Sequence, residues 1–217
     1  MGTVRIVGMV GTLRTILTIP TIPTIPTILM PTPLDTAPIA YRLRPDLLAE
    51  FVGQEHIVGE GTALRSAIEN DRLSSVILSG PPGSGKTTLA RVVANTTKAN
   101  FVQVNAVMSG VKELKEICLE AEQLLRTFKQ RTVLFIDEIH RLNRSIEEIL
   151  YPAMEEFALD LVIGKGPAAR TIRLDVPRFT LIGATTRVSL LSSPLRDRFG
   201  MVYHLNFYEQ NDIEQIL

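Results

Sequence analysis

The chain has 217 residues, and its 23 Lys+Arg balance 23 Asp+Glu. A hydrophobic fraction of 45% with zero formal net charge excludes an intrinsically disordered chain, which needs low hydrophobicity and high net charge. A single cysteine, Cys118, excludes a disulfide scaffold. The neutral total leaves a nucleic-acid partner open, because a global sum hides local patches.

These averages mix two unlike pieces. Residues 1–40 contain only Arg5, Arg14 and Asp35 as charged side chains, yet hold 6 of the 13 prolines. Thr18-Ile19-Pro20 recurs as Thr21-Ile22-Pro23 and Thr24-Ile25-Pro26. A proline at every third residue removes backbone donors and forbids a helix, so this piece is expected to be an extended, disordered tail of polyproline character. Arg5 and Arg14 flank apolar residues, but prolines interrupt the run and no small-residue cleavage site follows, so a signal peptide is not expected. No apolar stretch is long enough for a transmembrane helix, so no membrane association is expected, and one unpaired cysteine fits a reducing cytoplasm.

Residues 41–217 have an ordinary globular composition and alternate between strand and helix patterns. Residues 76–78 form a short apolar run ending near Gly80, the pattern of a buried strand, and Leu89, Val92 and Val93 then recur at helical spacing. Residues 101–104 read as a second strand. Over residues 111–128, Val111, Leu114, Ile117, Cys118, Ala121, Leu124, Leu125 and Phe128 make the stripe of an amphipathic helix, with Cys118 on the core side as a buried, inert thiol. Residues 133–136 form a third strand. Ser145 and Glu148 can make a capping box, opening a helix with Ile146, Ile149, Leu150, Ala153 and Phe157 on its apolar face. Residues 179–183 read as a fourth strand, residues 201–203 begin a fifth, and residues 212–217 begin another helix. Strands that are apolar throughout and separated by helices predict a parallel sheet covered on both faces.

Gly80-Pro81-Pro82-Gly83-Ser84-Gly85-Lys86-Thr87 matches G-x-x-x-x-G-K-[ST] at every fixed position and lies between a predicted strand and a predicted helix, the context this phosphate loop requires. Its glycines let backbone amides face phosphate oxygens at a helix N-terminus. Lys86 supplies a cation near the β- and γ-phosphates, and the Thr87 hydroxyl, with Thr88 beside it, is suited to Mg²⁺ and phosphate. Asp137-Glu138 follows four apolar residues at a strand end, where parallel sheets bind ligands. With a phosphate loop upstream, Asp137 is expected to hold the Mg²⁺ shell and Glu138 to polarise a water that attacks the γ-phosphate of ATP. Thr185 or Thr186, at the end of the fourth strand, offers a hydroxyl to the γ-phosphate or the water. Arg196 and Arg198 form a basic pair in a loop; alone this reads as a surface pair, but in a ring of subunits one of them can stabilise charge at a neighbour's γ-phosphate.

Together these motifs resemble the AAA+ ATPase family, whose fold is a P-loop NTPase α/β three-layer sandwich with a parallel five-stranded sheet. Leu134-Phe-Ile-Asp-Glu-Ile-His-Arg-Leu-Asn143, Ile163-Gly-Lys-Gly-Pro167, Gly183-Ala-Thr-Thr-Arg187 and Leu191-Ser-Ser-Pro-Leu-Arg-Asp-Arg-Phe-Gly200 are similar to the RuvB family of Holliday-junction motors. That resemblance implies Thr186 as the γ-phosphate sensor, Arg198 as an arginine finger with Arg196 beside it, and Leu43, Arg44 and Tyr208 near the nucleotide. It implies a hexameric ring acting on branched DNA. The segment from 159 to 176 reads as an inserted hairpin around the turn cluster Gly164-Lys165-Gly166-Pro167. In the RuvB family the matching hairpin docks on RuvA, which makes Ile163, Ile172 and Leu174 candidates for a RuvA-like partner. On charge alone, Lys165, Arg170, Arg173 and Arg178 fit a solvated hairpin as well as a nucleic-acid contact.

The first half departs from that pattern. Arg42-Leu-Arg-Pro45, Phe51-Val-Gly-Gln-Glu-His56 and Ala106-Val-Met-Ser-Gly-Val-Lys-Glu113 look more like the RarA family, related AAA+ proteins akin to clamp loaders. A RarA-like ATPase at replication forks, or an ATP-binding module without productive turnover, are therefore alternative expectations. The family pattern also implies a helical lid and a winged-helix DNA-binding domain after the core, and neither is expected before Leu217.

Overall fold

The computed structural model describes residues 38–107, 110–163 and 170–217, with the backbone alone at Ala40, residues 161–163 and 170–172, and Leu174. The proline-threonine repeats and the Gly164-Lys165-Gly166-Pro167 turn lie outside the described residues. The chain divides into two units, residues 1–42 and 43–217. In the first, the described part is one helical turn, α1 (Ile39–Arg42), opened by the Tyr41 amide donating to Pro38 O at 2.8 Å.

The second unit begins with a 3-10 turn (Leu48–Glu50), then α2 (Glu55–Val58), α3 (Ala63–Glu69), β1 (Val76–Ser79), α4 (Lys86–Thr96), β2 (Asn100–Asn105), α5 (Val111–Phe128) and β3 (Thr132–Asp137). A 3-10 turn (Ile139–Arg141) leads to α6 (Arg144–Glu155), β4 (Ala158–Ile163), β5 (Arg170–Asp175) and β6 (Thr180–Thr185). After a last 3-10 turn (Val188–Leu190) come α7 (Ser193–Arg196), β7 (Met201–His204) and α8 (Gln210–Ile216). Five strands form one sheet in the order β2-β3-β6-β1-β7, every neighbouring pair parallel, as expected for the α/β fold.

The strands are apolar throughout because successive residues serve opposite faces. Val76, Leu78, Val133, Phe135 and Ile182 share one core with Leu64 and Ile68 of α3 and Leu89, Val92 and Val93 of α4. Ile77, Leu134, Ile136 and Leu181 share the other with Leu114 of α5, Ile146 and Leu150 of α6, and Leu195 of α7. Coverage gives out at the β7 edge, where Met201 and Val202 are exposed.

Other local expectations change. On α5, Leu114 and Ala121 are buried, but Phe128 is 71% exposed. The helix ends there, and Lys129 turns the chain through a left-handed conformation with φ of 56°. Helix α6 is not opened by a Ser145–Glu148 capping box; the Asn143 side chain accepts the Ser145 amide at 3.0 Å and takes the N-cap, leaving Ser145 inside the first turn. Cys118 packs against the small cluster of Ala153, Leu159 and Val176, and burial pushes its thiol up to about 11. Strands β4 and β5 pair antiparallel, Leu159 opposite Leu174, Leu161 opposite Ile172, Ile163 opposite Arg170. The side chains of Ile163, Ile172 and Leu174 lie outside the described residues.

One close approach locks the turn after β3 onto the sheet. Ile139, fully buried, lies directly on Gly183 of β6, where an added Cβ would sit 2.6 Å from Ile139 Cδ1. Gly183→Ala is therefore expected to destabilise the protein by about 1–3 kcal/mol, read as a lower urea midpoint at unchanged m. For Cys118, a thiol at about 11 instead of 9.0 is ionised about a hundredfold less at pH 8. Its labelling by a disulfide reagent at that pH is expected to be slower in the folded protein by at least that factor than after unfolding in guanidinium.

Candidate functional site

Strand register assembles the site. Ser79, the last residue of β1, is level with Thr185 on one side and His204 on the other, Ile136 is level with Gly183, and Asp137 with Asn105. The loop after β1, the acidic pair after β3 and the threonines ending β6 thus emerge along one carboxyl edge, the place where open parallel sheets bind ligands.

The loop from Gly80 to Gly85 curls between β1 and α4. Gly80, Gly83 and Gly85 all have positive φ. Gly80 abuts Leu205, where a Cβ would come within 2.4 Å of a backbone oxygen, and Gly83 sits at the exposed crest. Gly85 caps α4 at φ of 88°, and a Cβ there would be 2.4 Å from the Tyr208 hydroxyl. Thr87 and Thr88 lie half-buried in the first turn of α4, whose leading amides face the loop. Lys86, only 8% exposed, folds back so that its ammonium donates to Gly80 O at 2.9 Å, Pro81 O at 2.6 Å and Ser84 Oγ at 3.3 Å. Burial lowers its pKa, and the nearby Asp137 and Glu138 carboxylates oppose that shift.

Asp137 and Glu138 stand half-buried at the end of β3. Asp137 Oδ1 accepts the Glu138 amide at 3.0 Å, which commits one carboxylate oxygen and leaves Oδ2 for a cation. With the Thr87 hydroxyl this is the sparse, hard oxygen donor set that suits Mg²⁺, an ion that takes few protein ligands and fills its shell with phosphate oxygens and water. No group of three or more His, Cys, Asp or Glu suited to a metal occurs among the described residues. Glu138 has left-handed backbone, φ of 51°, and its Oε2 lies 3.4 Å from His140 Nε2 and 3.9 Å from Arg141 Nε.

Of the two threonines, Thr185 is fully buried; its hydroxyl accepts the Arg187 amide at 2.9 Å and meets His140 Nδ1 at 2.8 Å. Thr186 follows it, half-buried. Sequence reasoning assigned no role to His140, and the only signal was its position two residues past an acidic pair. It also passed over Gln54, whose side chain clasps Asn206 through Nε2 to O at 2.8 Å and Oε1 to N at 2.9 Å, fastening the segment after Phe51 to the one that carries Tyr208.

Tyr208 is half-buried between Gly53 and Gly85, and burial, with Asp212 adding to it, raises the pKa of its phenol. Leu43 and Arg44 are exposed, just ahead of Asp46, which Asn95 of α4 holds at 3.3 Å. Arg196 is exposed in the last turn of α7. Arg198 is held by its own chain: its guanidinium stacks 4.1 Å over the Tyr151 ring, and Nη1 donates to Pro194 O at 2.6 Å. Its Nε sits 3.1 Å from Glu155 Oε1, an ion pair too poorly aligned to be a hydrogen bond. The structure thus unites the loop, the acidic pair, Thr185 and Tyr208, while Arg198 is engaged elsewhere.

Among the described residues no helix is long and apolar enough to cross a membrane. The chain is 50% identical over 183 residues to the Holliday junction branch migration complex subunit RuvB of Fervidobacterium nodosum, covering 82% of this chain and 50% of that protein. The structure of the Thermotoga maritima RuvB Holliday junction branch migration motor superposes with a TM-score of 0.63 at 40% identity, over 80% of this chain and 52% of that one. A point mutant of the same Thermotoga protein gives a TM-score of 0.65, over 79% and 52%. The chain thus spans about half the length of the relatives it matches. Residues 43–205 match the family model described as the Holliday junction DNA helicase RuvB P-loop domain, a span that takes in the first half with its RarA-like motifs. This continuous match, over a five-stranded parallel sheet with an intact phosphate loop, makes the chain a member of the RuvB family of AAA+ P-loop ATPases.

Proposed function

We propose that this chain is the ATP-hydrolysing core of a RuvB-type motor that drives branch migration of Holliday junctions with a RuvA-like partner, in recombination and DNA repair in the cytoplasm. The observation that carries the reading is the gathering of Lys86, Asp137 and Glu138 at one carboxyl edge in a member of that family. Gly80, Gly83 and Gly85 shape the loop, and its amides with Lys86 hold the β- and γ-phosphates. Thr87 and Asp137 hold Mg²⁺, which neutralises charge on the phosphates when bound. Glu138 orients and polarises the attacking water. Thr186 contacts the γ-phosphate, and Thr88, Leu43, Arg44 and Tyr208 complete the nucleotide site. Arg198, flanked by Arg196, acts on the nucleotide of the next subunit in a hexameric ring, which accounts for its separation from its own phosphate loop. Ile163, Ile172 and Leu174, on the β4–β5 hairpin, form the RuvA-like contact.

Steady-state ATP hydrolysis tests this reading. Glu138→Gln is expected to lower turnover by about 10²–10⁴-fold while a non-hydrolysable ATP analogue still raises Tm, whereas Lys86→Ala loses both effects. Equal turnover in the wild type and Glu138→Gln would remove Glu138 from its role; nucleotide binding with no wild-type turnover would make the chain a binding module. Arg198→Ala is expected to lower turnover by about 10³-fold, with partial recovery when it is mixed with Glu138→Gln, since the two defects then fall on different sites. Leu174→Asp is expected to abolish capture by RuvA, and a wild-type chain that never captures RuvA refutes the hairpin role.

A further inference from the structure

We infer that His140 is a positioning residue that ties the Glu138 carboxylate to the end of β6, so that the water-activating and γ-phosphate-sensing positions move as one unit. The inference rests on the ATPase reading of this edge. His140 spans the two elements: Nε2 lies 3.4 Å from Glu138 Oε2 and Nδ1 lies 2.8 Å from Thr185 Oγ1, with the imidazole side chain only 5% exposed.

Proton accounting fixes the direction of the bridge. The Thr185 hydroxyl is buried and already accepts the Arg187 amide at 2.9 Å. It has one proton to give, and its neighbour at 2.8 Å is His140 Nδ1. A neutral imidazole that accepts at Nδ1 carries its own proton on Nε2, the nitrogen 3.4 Å from the Glu138 carboxylate. The other tautomer would set two hydrogens between Thr185 and Nδ1 unless the hydroxyl turned away, and would point the Nε2 lone pair at an anion. At 3.4 Å the Nε2 contact is longer than a hydrogen bond, so it steers the carboxylate electrostatically without locking it. The Glu138 backbone is fixed separately, its amide on Asp137 Oδ1 and its φ at 51°, and Arg141 Nε flanks the same oxygen at 3.9 Å. The side chain is therefore the one free element, and His140 directs it. Thr186 adjoins Thr185, so a pull on Thr186 by a γ-phosphate reaches Glu138 through two side-chain contacts.

Two measurements test this. The first needs no turnover: in ¹⁵N-histidine-labelled chain, long-range ¹H–¹⁵N correlation identifies the tautomer of each ring, and His140 among the three histidines is the one lost in His140→Asn. The Nε2–H tautomer is expected, giving way to a tautomer mixture in Thr185→Val; an Nδ1–H ring in the wild type overturns the bridge whether or not the chain hydrolyses ATP. The second is kinetic. His140→Ala is expected to lower kcat by about 10–100-fold, with KM and the analogue-induced Tm shift held within about twofold. Thr185→Ser is expected to retain kcat, Thr185→Val to match His140→Ala, and the double variant to be no worse than either. Parallel loss of nucleotide binding, or fully additive losses, overturns the inference. A wild-type chain without turnover refutes the ATPase reading, while the tautomer still decides the bridge.

Discussion

The site depends on one constraint, the parallel register that sets the ends of β1, β3, β6 and β7 level. Because Ser79 faces Thr185 and His204 across its two neighbours, every segment leaving those strands departs from one line. A slip of one residue in any pair would turn the core face of that strand outward and carry its terminal side chain to the wrong side. The two apolar cores hold the register, and the polar edge inherits its accuracy from them. This also explains why the strand interiors are plain Val, Ile, Leu and Phe while the chemistry begins within a residue or two of each strand end.

A second device refines the first. Gly183 has no side chain, so the Ile139 turn lies flush on β6, and His140 reaches the Thr185 hydroxyl instead of being held a methyl group away. The polar residues at the edge are then satisfied by one another: Asp137 by an amide, Lys86 by carbonyls, Thr185 by a ring and an amide. Burial of the Lys86 ammonium is opposed by the two carboxylates beside it. The cluster thus sets one ammonium against two carboxylates.

The fold and the phosphate loop were legible in the sequence, because continuous apolar runs and a Gly-rich strand-to-helix turn each have few physical solutions. Asp137 and Glu138 were legible through their position directly behind such a run. The missed features share a different character. His140 and Gln54 act through partners 45 and 152 residues away, and local spacing carries no trace of pairings set by sheet register. The capping box at Ser145 failed because two polar residues close together, Asn143 and Ser145, both fit the role, and two residues of phase decide between them. Phe128 continued a helical stripe past the point where the helix had anything left to cover. The engagement of Arg198 with Tyr151, Pro194 and Glu155 likewise joins three elements that no periodicity connects.

The hydrogen bonds from Lys86 to Gly80 O and Pro81 O make the phosphate loop a competitor for its own cation. In the proposed nucleotide site, a phosphate would gain this ammonium in exchange for backbone carbonyls. What tips the exchange is charge, since a phosphate oxygen holds an ammonium more strongly than a neutral carbonyl does.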